Sequence, residues 1–408
     1  MLRVEEAQRR VMADVSPLEP ERRGLLDAVG RVLAERIVAG RALPPWDNSA
    51  MDGYAVRAAE VTSPGVELPI SDTIPAGDPG DRPLASGSAA RIFTGAPMPP
   101  GADTVIMQED AERTGDRVRF GVAAVSGRHV RRRGSDVEPG AAVLGVGRVV
   151  SPADVALLAS LGRSQVEVVR APVVAVLTSG DELVALDAGE PGPGRIVDGN
   201  SWALAAAVRQ LGCVARIHPI IPDDAAATEA ALASAARADV LLCTGGVSVG
   251  DYDFVGDALR ALSGDAFGFW KVAIKPGKPL AFGRIGHCLA FGLPGNPMSA
   301  LVTFELFVRP ALLGLMGHRR VHRALVEAVL DAPIEGGGAR QVYLRATTRH
   351  ADGALRVDAR RTQSSGALTS GGGADALVCV RPGDPPREAG ARAWVMLLDE
   401  QRLPRDAV

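Results

Sequence analysis

The alternation of apolar and polar positions along this 408-residue chain changes rhythm several times. Residues 1–30 carry helical spacing and predict a helix with a break at Ser16-Pro17. After the stiff Leu43-Pro44-Pro45, residues 46–140 give short β-type runs, ARIFTGAP, DTVIMQED and RVRFGV, punctuated by Gly and Pro. SPADVALLASLG, from Ser151, combines a Ser cap, a Pro at the first helical position and an apolar run, which predicts a short helix. From residue 171 strands alternate with helices. PVVAVL, VARIHPII, DVLLCTGG, FGFWKVAI and HCLAFGLPGNP read as strands. SWALAAAVRQLG, DDAAATEAALASAAR and DFVGDALRALSG read as helices, and a long apolar helix is expected from about Met298 to Met316. Short alternating runs after Gly317 (YLRATT, ALRVDA, ALVCV, RAWVMLL) predict strands again.

This pattern predicts a multidomain α/β protein. Its centre is a parallel-sheet α/β domain at 171–318. A β-rich domain at 46–139 is inserted into a discontinuous N-terminal part (1–45 and 140–170), and a small β domain closes the chain at 319–408. No apolar run reaches the length of a membrane span, and the N-terminal MLRVEEAQRRV carries charges where a secretory signal needs apolar residues, so a cytoplasmic protein is expected. The net charge of −3 gives no overall field to attract nucleic acid or an anionic membrane. The four cysteines form no CxxC pair, and the histidines show no HExxH spacing. Buried thiols are therefore expected, and a zinc site is not.

Composition adds one sharp feature. Of 45 basic residues only three are lysine, and all three (Lys271, Lys275, Lys278) lie within WKVAIKPGKP. Lysine is a compact, flexible point charge where arginine is a planar fork. The cluster points to a site that holds ammonium groups close to an oxyanion; the bland alternative, a solvated charged strand end, does not explain why arginine is missing there. Ligands in open parallel sheets bind beyond the carboxyl ends of the strands. Those ends read Thr178-Ser179-Gly180-Asp181-Glu182, Pro222-Asp223-Asp224, Thr244-Gly245-Gly246-Val247-Ser248, Lys275-Pro276-Gly277-Lys278-Pro279 and Pro294-Gly295-Asn296-Pro297, with Ser299 beyond. Glycines let backbone N–H groups approach phosphate oxygens, hydroxyls add donors, and carboxylates hold Mg²⁺ rather than the anion itself. Each loop alone is an ordinary turn, but five at one edge predict a phosphate-bearing anion with a divalent metal. The inserted domain holds a second polar cluster, Asp47-Asn48-Ser49-Ala50-Met51-Asp52, whose bland reading is an Asx turn with a small aromatic core, and a basic loop at Arg131-Arg132-Arg133, which reads as a solvated charged loop or as a second wall of an anion cleft.

Together these segments resemble the molybdopterin molybdenumtransferases, the MoeA family, which includes the E domain of gephyrin. The resemblance covers nearly the whole chain. It rests on DNSAMDGYAV (47–56), RIFTGAPMPPGADTVIMQED (91–110), RRRGSD (131–136), TSGDEL (178–183), GGVSVGDYDF (245–254), KPGKP (275–279) and GLPGNPMSA (292–300), and more loosely on SSGALTS (364–370). It implies a central domain like MogA and MoaB and a homodimer. It also implies an enzyme that inserts molybdenum from molybdate into adenylylated molybdopterin, with Mg²⁺-dependent release of AMP.

Carried onto this sequence, the resemblance gives Lys275, Lys278 and Ser299 to molybdate or the terminal phosphate. Asp253 and Asp223 (or its neighbour Asp224) go to Mg²⁺, with Ser248 alongside, and Glu182 is the functional acid. Ser179, Gly180, Gly245, Gly246, Pro279, Pro294, Gly295, Asn296 and Pro297 line the substrate. Asp52, Thr94 and Asp136 reach the site across the dimer, and Arg345 and Ser365 add molybdate contacts. Two positions depart from the pattern: Gly199 stands in IVDGN where a hydroxyl residue is usual, and Ser135 replaces an acid beside Asp136. Two rival readings remain. A pathway adenylyltransferase or nucleotide pyrophosphatase would leave the inserted-domain motifs without purpose. A non-enzymatic scaffold would not need the full set of acids and lysines.

Overall fold

The structure, a computed structural model, describes residues 1–246 and 254–398, the side chain of Phe269 excepted. The chain forms two compact units, residues 22–168 and residues 1–21 with 169–408.

In the larger unit, a six-stranded sheet has the order 214–217, 173–178, 240–244, 288–293, 279–285, 268–271. The first four strands pair in parallel. Val173–Thr178, Val240–Thr244 and Cys288–Leu293 are almost wholly buried, as strands covered on both faces require. The expected all-parallel sheet needs one correction. Pro279–Ile285 runs antiparallel to both of its neighbours, because the two-residue turn Gly286-His287 (Gly286 φ +61°) makes a hairpin where a parallel partner would need a helical crossover. That reversal matters for the site. It brings Pro279, the start of this strand, and Lys271, its register partner, to the edge where the parallel strands end.

Helices Asn200–Gln210, Ala225–Ala235 and Phe254–Ser263 flank the sheet. The run Pro297–Leu315 is one continuous helix with a π-helical stretch at Phe304–Val308. By length and composition this run could cross a membrane, contrary to the expectation that no apolar run reaches that length. However, 83% of its most apolar window is buried in the fold. Phe304, Leu306, Phe307, Val308 and Leu312 pack there with Val174, Leu204 and Phe291.

The expected helix over 1–30 is shorter, Val4–Ala13; Pro17 and Pro20 follow, and proline cannot continue a helix. Its buried face, Val4, Ala7 and Val11, belongs to the same core. Arg170 binds Glu19 (2.5 Å) and clamps Asp239 with two hydrogen bonds of 2.6 Å, tying this N-terminal segment to the sheet. The back of the chain makes a second six-stranded sheet, from Leu325–Leu330, Gln341–Ala351, Ala354–Asp358, Ala376–Val380, Arg392–Leu397 and the short strand Ile274–Lys275. Ile274–Lys275 thus leaves the central sheet and pairs in parallel with Gln341 and Val342.

In the smaller unit, a six-stranded sheet in the order 104–107, 53–56, 89–92, 67–74, 117–120, 111–114 encloses Tyr54, Val56, Ile106, Val118 and Phe120. A separate core joins Leu33, Ile37, Leu144, Val150, Leu158 and Val166. Here the predicted helix forms over Pro152–Ser160, with Ser151 and Asp154 making a reciprocal capping box. All four cysteines are buried and none is disulfide-bonded.

Candidate functional site

A cavity of about 820 Å³ opens at the carboxyl edge of the central sheet. The loop after Val173–Thr178 contributes Ser179 and Glu182. Ser179 Oγ donates to Asp223 Oδ1 (3.1 Å), and Asp181 and Asp223 exchange backbone-to-carboxylate bonds of 3.2 and 3.3 Å. These two loops are therefore locked together. Gly180 lies against Glu182, whose carboxylate would sit 2.4 Å from any β-carbon added at Gly180. The alternative Asp224 is otherwise engaged: it caps helix Ala225–Ala235 by accepting from Ala227 N (2.7 Å).

Gly245 and Gly246 line the cavity after strand Val240–Thr244. Both are left-handed, at φ +89° and +57°, and a β-carbon at Gly245 would lie 2.3 Å from the Ser179 carbonyl oxygen. Glycine is required there by both conformation and space. The next residues of this motif, including Ser248 and Asp253, lie outside the described residues.

The loop 294–297 and Ser299 form another wall. The N-terminus of the helix at Pro297 is less open to an anion than its position suggests. Pro297 has no N–H, and Met298 N donates to Ser365 O (3.1 Å). Ser365 thereby seats the segment that brings Gly366 and Leu368 to the cavity.

The lysines separate. Lys278 and Pro279 line this cavity. Lys275 lines a second one, of about 620 Å³, with Glu335, Arg340, Tyr343 and Gln363. The cause is its place in strand Ile274–Lys275, which pairs with the C-terminal sheet. All three lysines are exposed. Arg345 does not line the strand-edge cavity either. It is 2% exposed, and burial pulls its pKa below the usual arginine value. Its guanidinium donates to Ser370 Oγ (2.8 Å), Thr362 O (3.1 Å) and Ser364 O (3.0 Å), so it braces the loop that Ser365 belongs to.

Two cavity residues, Asp198 and Asn200, were given no role from the sequence. Buried Asp198 accepts from Thr178 Oγ1 (2.8 Å) and Ser201 N (3.1 Å). Asn200 Nδ2 donates to Thr244 Oγ1 (3.2 Å) and Gly295 O (2.7 Å). The available signal was IVDGN, a run of polar residues between a strand and a helix. Gly199, between them, lines the cavity with open space where a side chain would stand.

In the smaller unit, Thr94 donates to Asp52 Oδ1 through both its N–H and its hydroxyl (2.8 Å each), which holds the Asp52 carboxyl below the usual carboxylate range. Asp136 is exposed in the turn after Gly134, its N–H donating to Leu43 O (3.0 Å). Among the described residues no group of three or more His, Cys, Asp or Glu side chains could hold a metal ion. Asp181 and Asp223 nonetheless present hard oxygen donors at one loop junction. That suits Mg²⁺, which is commonly held by one or two carboxylates plus substrate phosphates.

Comparison with known proteins agrees with this architecture. The sequence matches the "MoeA N-terminal region (domain I and II)" over residues 2–162, a "Probable molybdopterin binding domain" over 175–314 and the "MoeA C-terminal region (domain IV)" over 327–398. It is 39% identical to the molybdopterin molybdenumtransferase of Haemophilus influenzae over 78% of this chain and 79% of that protein. To that of Bacillus subtilis it is 33% identical over 98% and 94%. The crystal structure of the molybdopterin biosynthesis moeA protein from Pyrococcus horikoshii OT3 superposes with a TM-score of 0.82 at 29% identity, covering 97% of this chain and all of that one (100%). The glycine-loop sheet edge, together with these matches along the length of the chain, shows that it belongs to the molybdopterin molybdenumtransferase (MoeA) family.

Proposed function

We propose that the strand-edge cavity binds adenylylated molybdopterin and accepts molybdate, and that the chain catalyses molybdenum insertion with release of AMP. The observation that carries this reading is the cavity itself. Its glycine loops leave backbone close to any ligand, and Lys278 enters it without an ion-pair partner among the described residues. Pyrophosphate suits such loops, and a molybdate dianion suits an ammonium group.

Ser179, Gly180, Gly245 and Gly246 would bind the pyrophosphate, with Ser248. Pro279, Pro294, Gly295, Asn296 and Pro297 shape the walls. Lys278 and Ser299 would hold the oxyanion where sulfur–molybdenum bonds form. Lys275, facing the second cavity, attracts molybdate from the side of the C-terminal sheet. Arg345 and Ser365 act through the loop they brace. Asp223, with Asp253, would hold Mg²⁺; when bound, that ion neutralises charge on the bridging phosphates. Glu182, against Gly180 and lining the cavity, would supply the acid-base group. We also propose a homodimer in which Asp52, Thr94 and Asp136 come from the second copy. The buried, unbridged cysteines suit a reducing compartment such as the cytoplasm.

The test is to incubate purified protein with adenylylated molybdopterin, Mg²⁺ and molybdate. AMP release that depends on molybdate supports the proposal. AMP release indifferent to molybdate would instead indicate a pyrophosphatase.

A further inference from the structure

We propose that Asn200 is a positioning residue: its side-chain amide sets the spacing of the two glycine loops that face each other across the sheet edge. This rests on reading the cavity as the transferase site.

Asn200 is itself firmly placed. It opens helix Asn200–Gln210, whose start is pinned by Asp198 to the end of strand Val173–Thr178 through Thr178 Oγ1 and Ser201 N. From that fixed base its Nδ2 reaches two other strand ends. One bond goes to Gly295 O in the loop after Cys288–Leu293, the other to Thr244 Oγ1, directly before Gly245. Both hydrogens of one amide are thus used, each on a different loop.

The loops need such a strut. A β-carbon on Gly295 would stand 3.6 Å from Gly245 Cα, and one on Gly245 would strike Ser179 O. Strand pairing fixes the register as far as Thr244 and Leu293; beyond that pair backbone meets backbone, and the Asn200 amide joins the two loops. Gly199, at the helix start, offers no capping side chain. Pyrophosphate-binding amides must be held to within a fraction of an ångström, so the spacing set by Asn200 acts directly on turnover.

Asn200→Asp is the informative variant, because it keeps the shape and replaces the two N–H donors of Nδ2 with one carboxylate oxygen that opposes the Gly295 carbonyl. At neutral pH its kcat/KM for adenylylated molybdopterin should fall about 100-fold, while KM for molybdate, held by Lys278, stays unchanged. Lowering the pH protonates the new carboxyl and restores one O–H donor, so activity relative to the wild-type protein should rise. Asn200→Ala should lose activity similarly but show no such recovery. Hydrogen exchange reads the strut without substrate: in Asn200→Ala, amides of both loops should exchange about fivefold faster or more, with little change elsewhere in the sheet.

Wild-type kcat/KM in both variants overturns the proposal, as does loss in both without pH recovery and with a general fall in protection. A wild-type protein that releases no AMP in a molybdate-dependent way overturns the reading of the site and the catalytic half of this inference; the exchange data still decide the strut.

Discussion

Adding one methyl group at two glycines of the same cavity should have opposite consequences. Gly245 is held at φ +89°, where an L-residue pays about 1–2 kcal/mol in strain. Its new β-carbon would also lie 2.3 Å from Ser179 O, a backbone atom at a strand end. Restoring ordinary contact requires that carbonyl or the Gly245 turn to move by roughly 1 Å. Reduced freedom of the unfolded chain offsets about 0.4–1 kcal/mol. Net destabilisation of Gly245→Ala should be about 1–3 kcal/mol, or a fall in Tm of about 2–6 °C. The accompanying displacement of the phosphate loops should cost about 100-fold in turnover. Gly199 has φ −90° and ψ −20°, with nothing within 4 Å of an added β-carbon. Gly199→Ala should therefore change stability by less than about 0.5 kcal/mol and preserve turnover. Calorimetry and molybdate-dependent AMP release measure both. A Gly245→Ala protein as stable and active as the wild type would refute the reasoning, and so would equal damage at the two positions.

Two further outcomes follow from the geometry. Lys278→Ala should reduce kcat/KM about 100-fold, whereas Lys275→Ala should cost about tenfold, because the two side chains line different cavities; steady-state kinetics with varied molybdate decide the order, and equal losses would count against it. Arg170→Met leaves the buried Asp239 carboxylate with the Val173 amide (2.7 Å) as its one donor among the described residues, and should destabilise by about 3–5 kcal/mol at pH 7. Burial opposes ionisation of Asp239, but the bonds from Arg170 and Val173 outweigh it and hold its pKa low. The stabilisation is therefore present above about pH 4, the unfolded carboxylate value, and is lost as pH falls through the folded pKa. Urea midpoints of the two proteins should converge in acid, and a gap that stays constant with pH would contradict the assignment.

Much of the fold was legible because it rests on periodicity and local punctuation. Buried runs such as Val173–Thr178 and Val240–Thr244, the cap at Ser151 and the glycine turns after strands are all local signals. The strand-end rule also gathered Ser179, Glu182, Gly245, Lys278 and Ser299 onto one cavity. What was hidden depends on pairing partners distant in sequence. The reversed strand Pro279–Ile285 follows from a two-residue hairpin, and the separation of Lys275 from Lys278 follows from a strand contact with Gln341 and Val342. Arg345, given to molybdate by the resemblance, directs its Nε to Ser370 Oγ and its Nη2 to the carbonyls at 362 and 364, partners that its own sequence neighbourhood does not announce. Asn200 was obscured for the same reason: its hydrogen-bond partners lie 44 and 95 residues away.

The central claim is that one cavity handles both the adenylylated molybdopterin and molybdate. The most direct measurement is AMP release by the purified protein with adenylylated molybdopterin and Mg²⁺, titrated with molybdate. Release should rise and saturate with molybdate and be suppressed in Lys278→Ala. Release at the same rate with and without molybdate, or unaffected by Lys278→Ala, would contradict it.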